Sequence, residues 1–289
     1  MITVSFIRHG ESTDNLRSVW AGWADAPLTN HGMNQARALG ESYANTRLDV
    51  IYASPLKRAF TTAQALYDSQ PSPKPTFTAS PLIREQHFGK GEGKTWTLHQ
   101  DPNKTLEEHF ANDHFPVLHG RDEKFPGGES VNDLAQRADQ AIRELVLPHV
   151  REATKSEGQD VHIALVSHGL CISQLVAALV NRNDGGAPDA DYRGLMNTAW
   201  TRVTVQVKGP QLGETLVDNL PPLIVKVTDV NRHEHIDGIK RQEGGIGSSA
   251  YDPKQQDIRG FFGGGAVKGF VQALENSESD VEGTQEVRN

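Results

Sequence analysis

The chain has 289 residues and a formal net charge of -8, with 36% hydrophobic residues and a mean hydropathy of -0.52. This length can bury a sizeable core in one or two domains, and no stretch is apolar enough to suggest a bilayer span. The acidic balance excludes broad nucleic-acid binding, so any anion site must be locally positive. The single cysteine, Cys171, excludes an internal disulfide and fits a reducing compartment. The first residues are strand-like, without a basic flank or cleavage site, so no signal peptide is read and a cytoplasmic location, with a nuclear share left open, is expected.

In chain order, residues 2–7 (ITVSFI), 49–53 (DVIYA), 162–166 (HIALV), 200–207 (WTRVTVQV) and 223–228 (LIVKVT) read as strands. Between them, apolar residues recur at helical spacing over 29–45, 55–68, 130–152 and 169–181. Such alternation predicts an α/β fold with a mostly parallel sheet covered on both faces. Residues 70–76 (QPSPKPT) are Pro-rich and read as a loop, and the polar stretch 99–128 reads as an irregular insertion over one end of the sheet. Ser130 has the character of a helix N-cap, with Asp133 in the first turn.

From residue 236 the composition changes. Residues 236–289 hold 10 of the 27 glycines, with nine acidic and six basic residues. So little apolar area cannot offset the entropy of ordering the chain. The expectation is a folded domain over 1–235 and a mostly disordered tail over 236–289.

Three strand-to-helix junctions carry cationic or titratable side chains: Ile7-Arg8-His9-Gly10, Ser54-Pro55-Leu56-Lys57-Arg58 and Val166-Ser167-His168-Gly169. Open parallel sheets bind ligands outside the carboxyl ends of their strands, so these junctions should converge. Ser54 reads as an N-cap and Pro55 as a first helical residue, which places Arg58 in the first turn. Arginines beside a helix N-terminus favour an anion, and a phosphoryl group matches their fork geometry. Arg8, Arg58 and His168 could stabilise its charge. A neutral imidazole can attack phosphorus, and on these grounds either His9 or His168 qualifies. A leaving alkoxide needs a proton donor, for which Glu85 in LIREQHFG is the candidate, although spacing alone does not single it out.

Six segments in order, RHGESTDN, GWADAPLTNHGMNQARALGE, IYASPLKRAFTTAQAL, REQHFGKGEG, FPGGES and LVSHG, resemble the phosphoglycerate-mutase-like branch of the histidine phosphatase superfamily across residues 2–235. The resemblance implies a three-layer α/β/α fold, a phosphorylated nucleophile at His9, and a phosphate pocket of Arg8, Arg58 and His168. It implies Glu85 as acid and base, Asn15 as a phosphate contact, and backbone lining at Gly22 and Gly169. It implies no metal and no cofactor, and a small phosphorylated metabolite as substrate. The mutases of this family carry a paired-arginine segment after the acid, whereas residues 99–128 here hold Arg121 and isolated lysines. FPGGES looks like the broad-specificity and fructose-2,6-bisphosphatase-like phosphatases, so net hydrolysis is favoured over mutase activity.

Two other groups stand apart. Cys171, in an apolar helix, reads as buried and inert. In the tail, Gln255, Ile258, Phe261 and Phe262 have a spacing that resembles the peptide that binds the sliding clamp PCNA. Docking of Ile258, Phe261 and Phe262 back on the catalytic domain is the favoured alternative. No direct nucleic-acid or membrane partner is expected.

Overall fold

The computed structural model describes residues 1–155, 160–186, 191–208 and 221–254. The residues Gln255, Ile258, Phe261 and Phe262 lie outside them.

The β-branched run at the N-terminus forms β1 (Ile2–Arg8), whose side chains alternate between the two faces of the sheet. It is followed by α1 (Asn30–Tyr43), β2 (Val50–Ala53), α2 (Lys57–Asp68) and β3 (Thr76–Ala79). The insertion contains β4 (Trp96–Thr97), α3 (Leu106–Ala111) and β5 (Phe115–Pro116). Then come α4 (Val131–Ala141), a π-helical turn over Ile142–Val146, α5 (Leu147–Lys155), β6 (Val161–Ser167), α6 (Gly169–Val180), β7 (Trp200–Val207) and β8 (Leu223–Arg232).

The main sheet has the strand order β3-β2-β6-β1-β7-β8. β3, β2, β6 and β1 run parallel, while β7 and β8 add an antiparallel edge. The sheet is therefore mixed, with parallel pairing through the half that carries the junctions. One face is packed by α1 and α2 against Ile7, Ile51, Ala53, Ala164 and Val166. The other is packed by α4, α5 and α6 against Val4, Phe6, Ile163, Leu165 and Val203. Neighbouring residues of β6 thus point into opposite cores, as expected of a strand buried on both faces. The three-layer α/β/α arrangement follows.

Two sequence expectations change. Helix α2 starts at Lys57 with Leu56 as its N-cap, so Ser54 and Pro55 form the turn before it rather than its cap. Arg58 remains in the first helical turn. Residues 76–79 form an edge strand beyond the Pro-rich loop, mostly exposed and therefore without an apolar signature. Ser130 caps α4 as read, in a reciprocal capping box with Asp133.

The first compact unit runs from Met1 to Tyr251, sixteen residues past the expected boundary at 235. Residues 236–251 are joined to it by backbone hydrogen bonds: Asn30 N–H to Ser249 O at 2.9 Å, and Tyr251 N–H to Leu28 O at 2.8 Å. Polar main-chain pairing does here what composition could not show. A second unit starts at Asp252, where Lys254 N–H bonds Asp252 Oδ1.

Candidate active site

Register brings the junctions together. Arg8 is opposite Ser167 across the β1–β6 ladder, and Ala53 is opposite Val166 across β2–β6. The next residues continue the pairing: His9 N–H donates to Ser167 O at 3.0 Å and Ser54 N–H to Val166 O at 2.9 Å. Three strands therefore end side by side.

His9 and His168 face each other with ring centroids 5.0 Å apart, and both side chains are buried. His9 Nδ1 lies 2.6 Å from Gly10 O. A carbonyl can only accept, so Nδ1 carries the proton and Nε2 keeps a lone pair. His168 Nε2 is 2.8 Å from Ser54 Oγ. Burial and the neighbouring Arg58 and Arg8 push both imidazoles well below the usual histidine range, and both are neutral near pH 7.

The arginines are held by carbonyls. Arg58, 1% exposed, donates to Ala24 O at 2.8 Å and Gly22 O at 2.7 Å. Arg8 donates to Leu195 O at 2.5 Å. Arg8 Nε and His168 Nδ1 are buried and have no hydrogen-bond partner among the described residues. Gly169 sits against the same guanidinium, since a Cβ there would lie 3.8 Å from Arg8 Nε. Gly22 adopts φ +48°, and a Cβ on it would strike the Glu92 carboxylate, so the turn that offers its carbonyl to Arg58 favours glycine. Thr62 Oγ1 ties α2 to the His9–Gly10 turn: it accepts from Gly10 N–H at 3.0 Å and donates to Arg58 O at 2.7 Å.

Glu85 reaches the start of α6. Its carboxylate accepts from Cys171 N–H at 3.0 Å and from Leu170 N–H at 3.3 Å. The N-terminus of the helix that follows His168 thus holds the Glu85 carboxylate. The charges of Arg8 and Arg58 both feel Glu85. Asn15 lies at the exposed rim, where its Oδ1 accepts from Ser12 N–H at 3.0 Å and from Asn197 Nδ2 at 3.3 Å. All eight residues named from sequence therefore gather at one end of the sheet.

The supporting residues were less legible. Glu129, of FPGGES, pairs with Arg137 through two bonds of 2.8 and 2.7 Å. Arg137 also donates to the carbonyls of Leu82, Arg84 and Glu85, and Glu129 accepts from His87 N–H. This pair clamps the loop that carries Glu85. Trp23 Nε1 donates to Glu85 O at 2.7 Å, with the Arg84 guanidinium 3.4 Å over its ring. Only the GW dipeptide hinted at Trp23, and nothing local hinted at Arg137. Cys171 is buried, and desolvation pushes its thiol up to about 12, which keeps it inert.

The comparisons with known proteins agree with this geometry. The profile of the histidine phosphatase superfamily (branch 1) matches residues 4–216. A protein of Schizosaccharomyces pombe described as a probable phosphatase is 29% identical over 263 residues, covering 90% of this chain and 79% of that protein. A 2,3-bisphosphoglycerate-dependent phosphoglycerate mutase of Gloeobacter violaceus is 29% identical over 181 residues, covering 62% of this chain and 76% of the mutase. The mycobacterial glucosyl-3-phosphoglycerate phosphatase has the same fold, with a TM-score of 0.59 at 24% identity over 79% of this chain and 98% of that one. The chain belongs to the histidine phosphatase superfamily, whose relatives include both phosphatases and phosphoglycerate mutases.

Proposed function

We propose that this histidine phosphatase superfamily member hydrolyses phosphate monoesters of small metabolites through a phosphohistidine on His9. One observation carries the reading: the buried Arg58, the half-buried Arg8 and two neutral, buried histidines converge at the strand ends, and the arginines' bonds to the chain go to carbonyls. Carbonyls satisfy the donors without cancelling the charge, so a phosphoryl group is the natural counter-ion. An unpaired buried donor costs about 1–3 kcal/mol, and phosphoryl oxygens at Arg8 Nε and His168 Nδ1 would remove that cost.

In the first step the His9 Nε2 lone pair attacks phosphorus. The ester P–O bond breaks, and protonated Glu85 gives its proton to the leaving alkoxide. Arg8, Arg58 and His168 stabilise the charge on the equatorial oxygens. In the second step Glu85 takes a proton from water, the new P–O bond forms, and the N–P bond breaks. Inorganic phosphate leaves, with His9 neutral and Glu85 protonated again. Ser54 orients His168, and the Glu129–Arg137 pair fixes the acid's loop.

Phosphoglycerate mutase activity is the second reading, supported by the mutase relatives. The charge pattern of the insertion favours hydrolysis. Within it Lys104 pairs with Asp101 and Lys124 with Asp133, and Lys94 at its edge pairs with Asp113. Arg121 bonds Asn132 and Gln174. The lysines are each matched by an aspartate, and Arg121 is a single guanidinium, so the insertion lacks the paired arginines of the mutases. Phosphate release from a panel of esters, measured in EDTA for wild type and His9→Ala, tests the reading. Turnover confined to wild type supports it, and full activity in His9→Ala removes the mechanism. Bisphosphate-dependent exchange between phosphoglycerate isomers without net release would select the mutase.

A further inference from the structure

The residues between His233 and Tyr251 lie beyond the stretch that matches the family profile, yet they reach both sides of the segment His9–Glu11, directly at Glu11 and through Thr198 at His9. On one side, the His9 carbonyl accepts from Thr198 N–H at 3.2 Å and from Asn197 Nδ2 at 3.1 Å. Thr198 has φ +58°, a left-handed conformation that a β-branched residue keeps only where its surroundings hold it. Its Oγ1 lies 2.9 Å from His235 Nε2.

On the other side, the Glu11 carboxylate is 12% exposed and accepts from both terminal nitrogens of Arg241, at 2.8 and 2.5 Å. Thr29 Oγ1 adds a third bond at 2.8 Å. Burial alone would raise the Glu11 pKa, but the Arg241 and Thr29 hydrogen bonds outweigh it and hold the carboxyl below its ordinary range. Arg241 itself is steadied by neighbours that pair with the start of α1, through the Asn30–Ser249 and Tyr251–Leu28 backbone bonds.

Gly10 lies between these two anchors, and its carbonyl sets the tautomer and orientation of His9. It is also pressed against α1: a Cβ on Gly10 would come within 2.5 Å of Gly32 O. A shift of Glu11 would therefore move the Gly10 carbonyl and the imidazole with it.

We propose that the His233–Tyr251 segment is a strap that holds His9 in attack geometry, with Arg241 and His235 as positioning residues acting through Glu11 and Thr198. The proposal rests on the phosphohistidine reading and adds to it a determinant outside the family's matched core. A buried carboxylate that loses its cation must rearrange or recruit another proton or partner. Small displacements of an attacking group cost large factors in rate.

The test uses full-length protein. Arg241→Met should lower kcat about ten- to hundredfold, with KM changed by less than about twofold. Arg241→Lys should regain part of the loss, because a cation returns without the fork. Glu11→Gln combined with Arg241→Met should be no worse than the poorer single variant, since both remove one interaction. A second readout needs no turnover: the Glu11 amide, which donates to Gln35 Oε1 at 2.9 Å, should exchange faster in Arg241→Met while β2 amides do not. Wild-type kcat and unchanged Glu11 exchange in Arg241→Met would overturn the strap. So would equal losses in the Met and Lys variants accompanied by faster exchange throughout the core, since that is general destabilisation. If wild type itself shows no turnover, the phosphatase reading fails, and the exchange comparison still decides whether the strap holds the loop.

Discussion

The strand-end pocket and the insertion above it both contain cations, but they dispose of the charge in opposite ways. In the pocket, Arg58 is buried and Arg8 half-buried, and both spend their hydrogen bonds on the carbonyls of Leu195, Ala24 and Gly22. In the insertion and at its edge, Lys104 and Lys94 lie at the surface and pair with aspartates. A carbonyl orients a guanidinium without neutralising it, and a carboxylate does both. The difference explains why two arginines at the strand ends can define an anion site while a comparable number of lysines above them do not. It also explains why both histidines stay neutral: they are buried in a dry space beside the Arg58 and Arg8 charges.

The largest loss short of removing the nucleophile should come from Glu85→Gln. Turnover of alkyl phosphates should fall about 10²- to 10⁴-fold, the usual worth of a placed proton donor. Aryl phosphates with good leaving groups should lose much less, and steady-state assays on the two ester classes would separate them. Equal losses in both would argue against Glu85 as the acid. Arg58→Ala comes next, with an expected loss of about 10²- to 10³-fold, mostly in kcat. It also frees the Gly22 and Ala24 carbonyls, so circular dichroism melts should accompany the kinetics.

The third effect is on stability. Desolvation pushes His9, His168 and His162 below the ordinary histidine value, His162 to about 4. The unfolded chain then binds protons that the folded chain refuses, so their contribution is present above about pH 6.5 and is lost as pH falls. Each such group contributes about 1.4 kcal/mol per pH unit over the window in which it differs from the unfolded chain. Melting temperature should therefore drop steadily between pH 7 and pH 5, and a flat profile would contradict the neutral, buried state. Smallest of all, Lys94→Met should change stability by less than about 1 kcal/mol, because it removes an exposed ion pair. Turnover should stay within about twofold of wild type. A large kinetic effect there would show that the insertion, and not only the strand ends, engages the substrate.

How much of this was legible in the sequence depended on the distance over which each contact acts. β-branched runs and helical spacing marked β1, β2, β6, β7 and β8 with their intervening helices, because periodicity is a local property. The site residues Arg8, His9, Arg58 and His168 were readable because they sit directly at the ends of those elements. Ser54 was read as a cap for α2, whereas its hydroxyl meets His168, 114 positions away. The Arg137 clamp on the Glu85 loop spans 52 positions and has no local pattern. β3 escaped notice because its residues are mostly exposed. Residues 236–251 read as part of a mostly disordered tail for their glycine and charge, yet they are anchored by backbone pairing and one buried carboxylate, neither of which composition reports.

The most direct test of the pocket is to catch the phosphoryl group on His9. Wild type is mixed with a good ester substrate, quenched in alkali within the first turnovers, and the peptide that contains His9 is examined by mass spectrometry for an acid-labile phosphoryl group. The expected result is phosphate on His9 in wild type and none in His9→Ala, with turnover lost in step. Sustained turnover with no phosphoryl group on that peptide, or turnover that survives His9→Ala, would contradict the central claim.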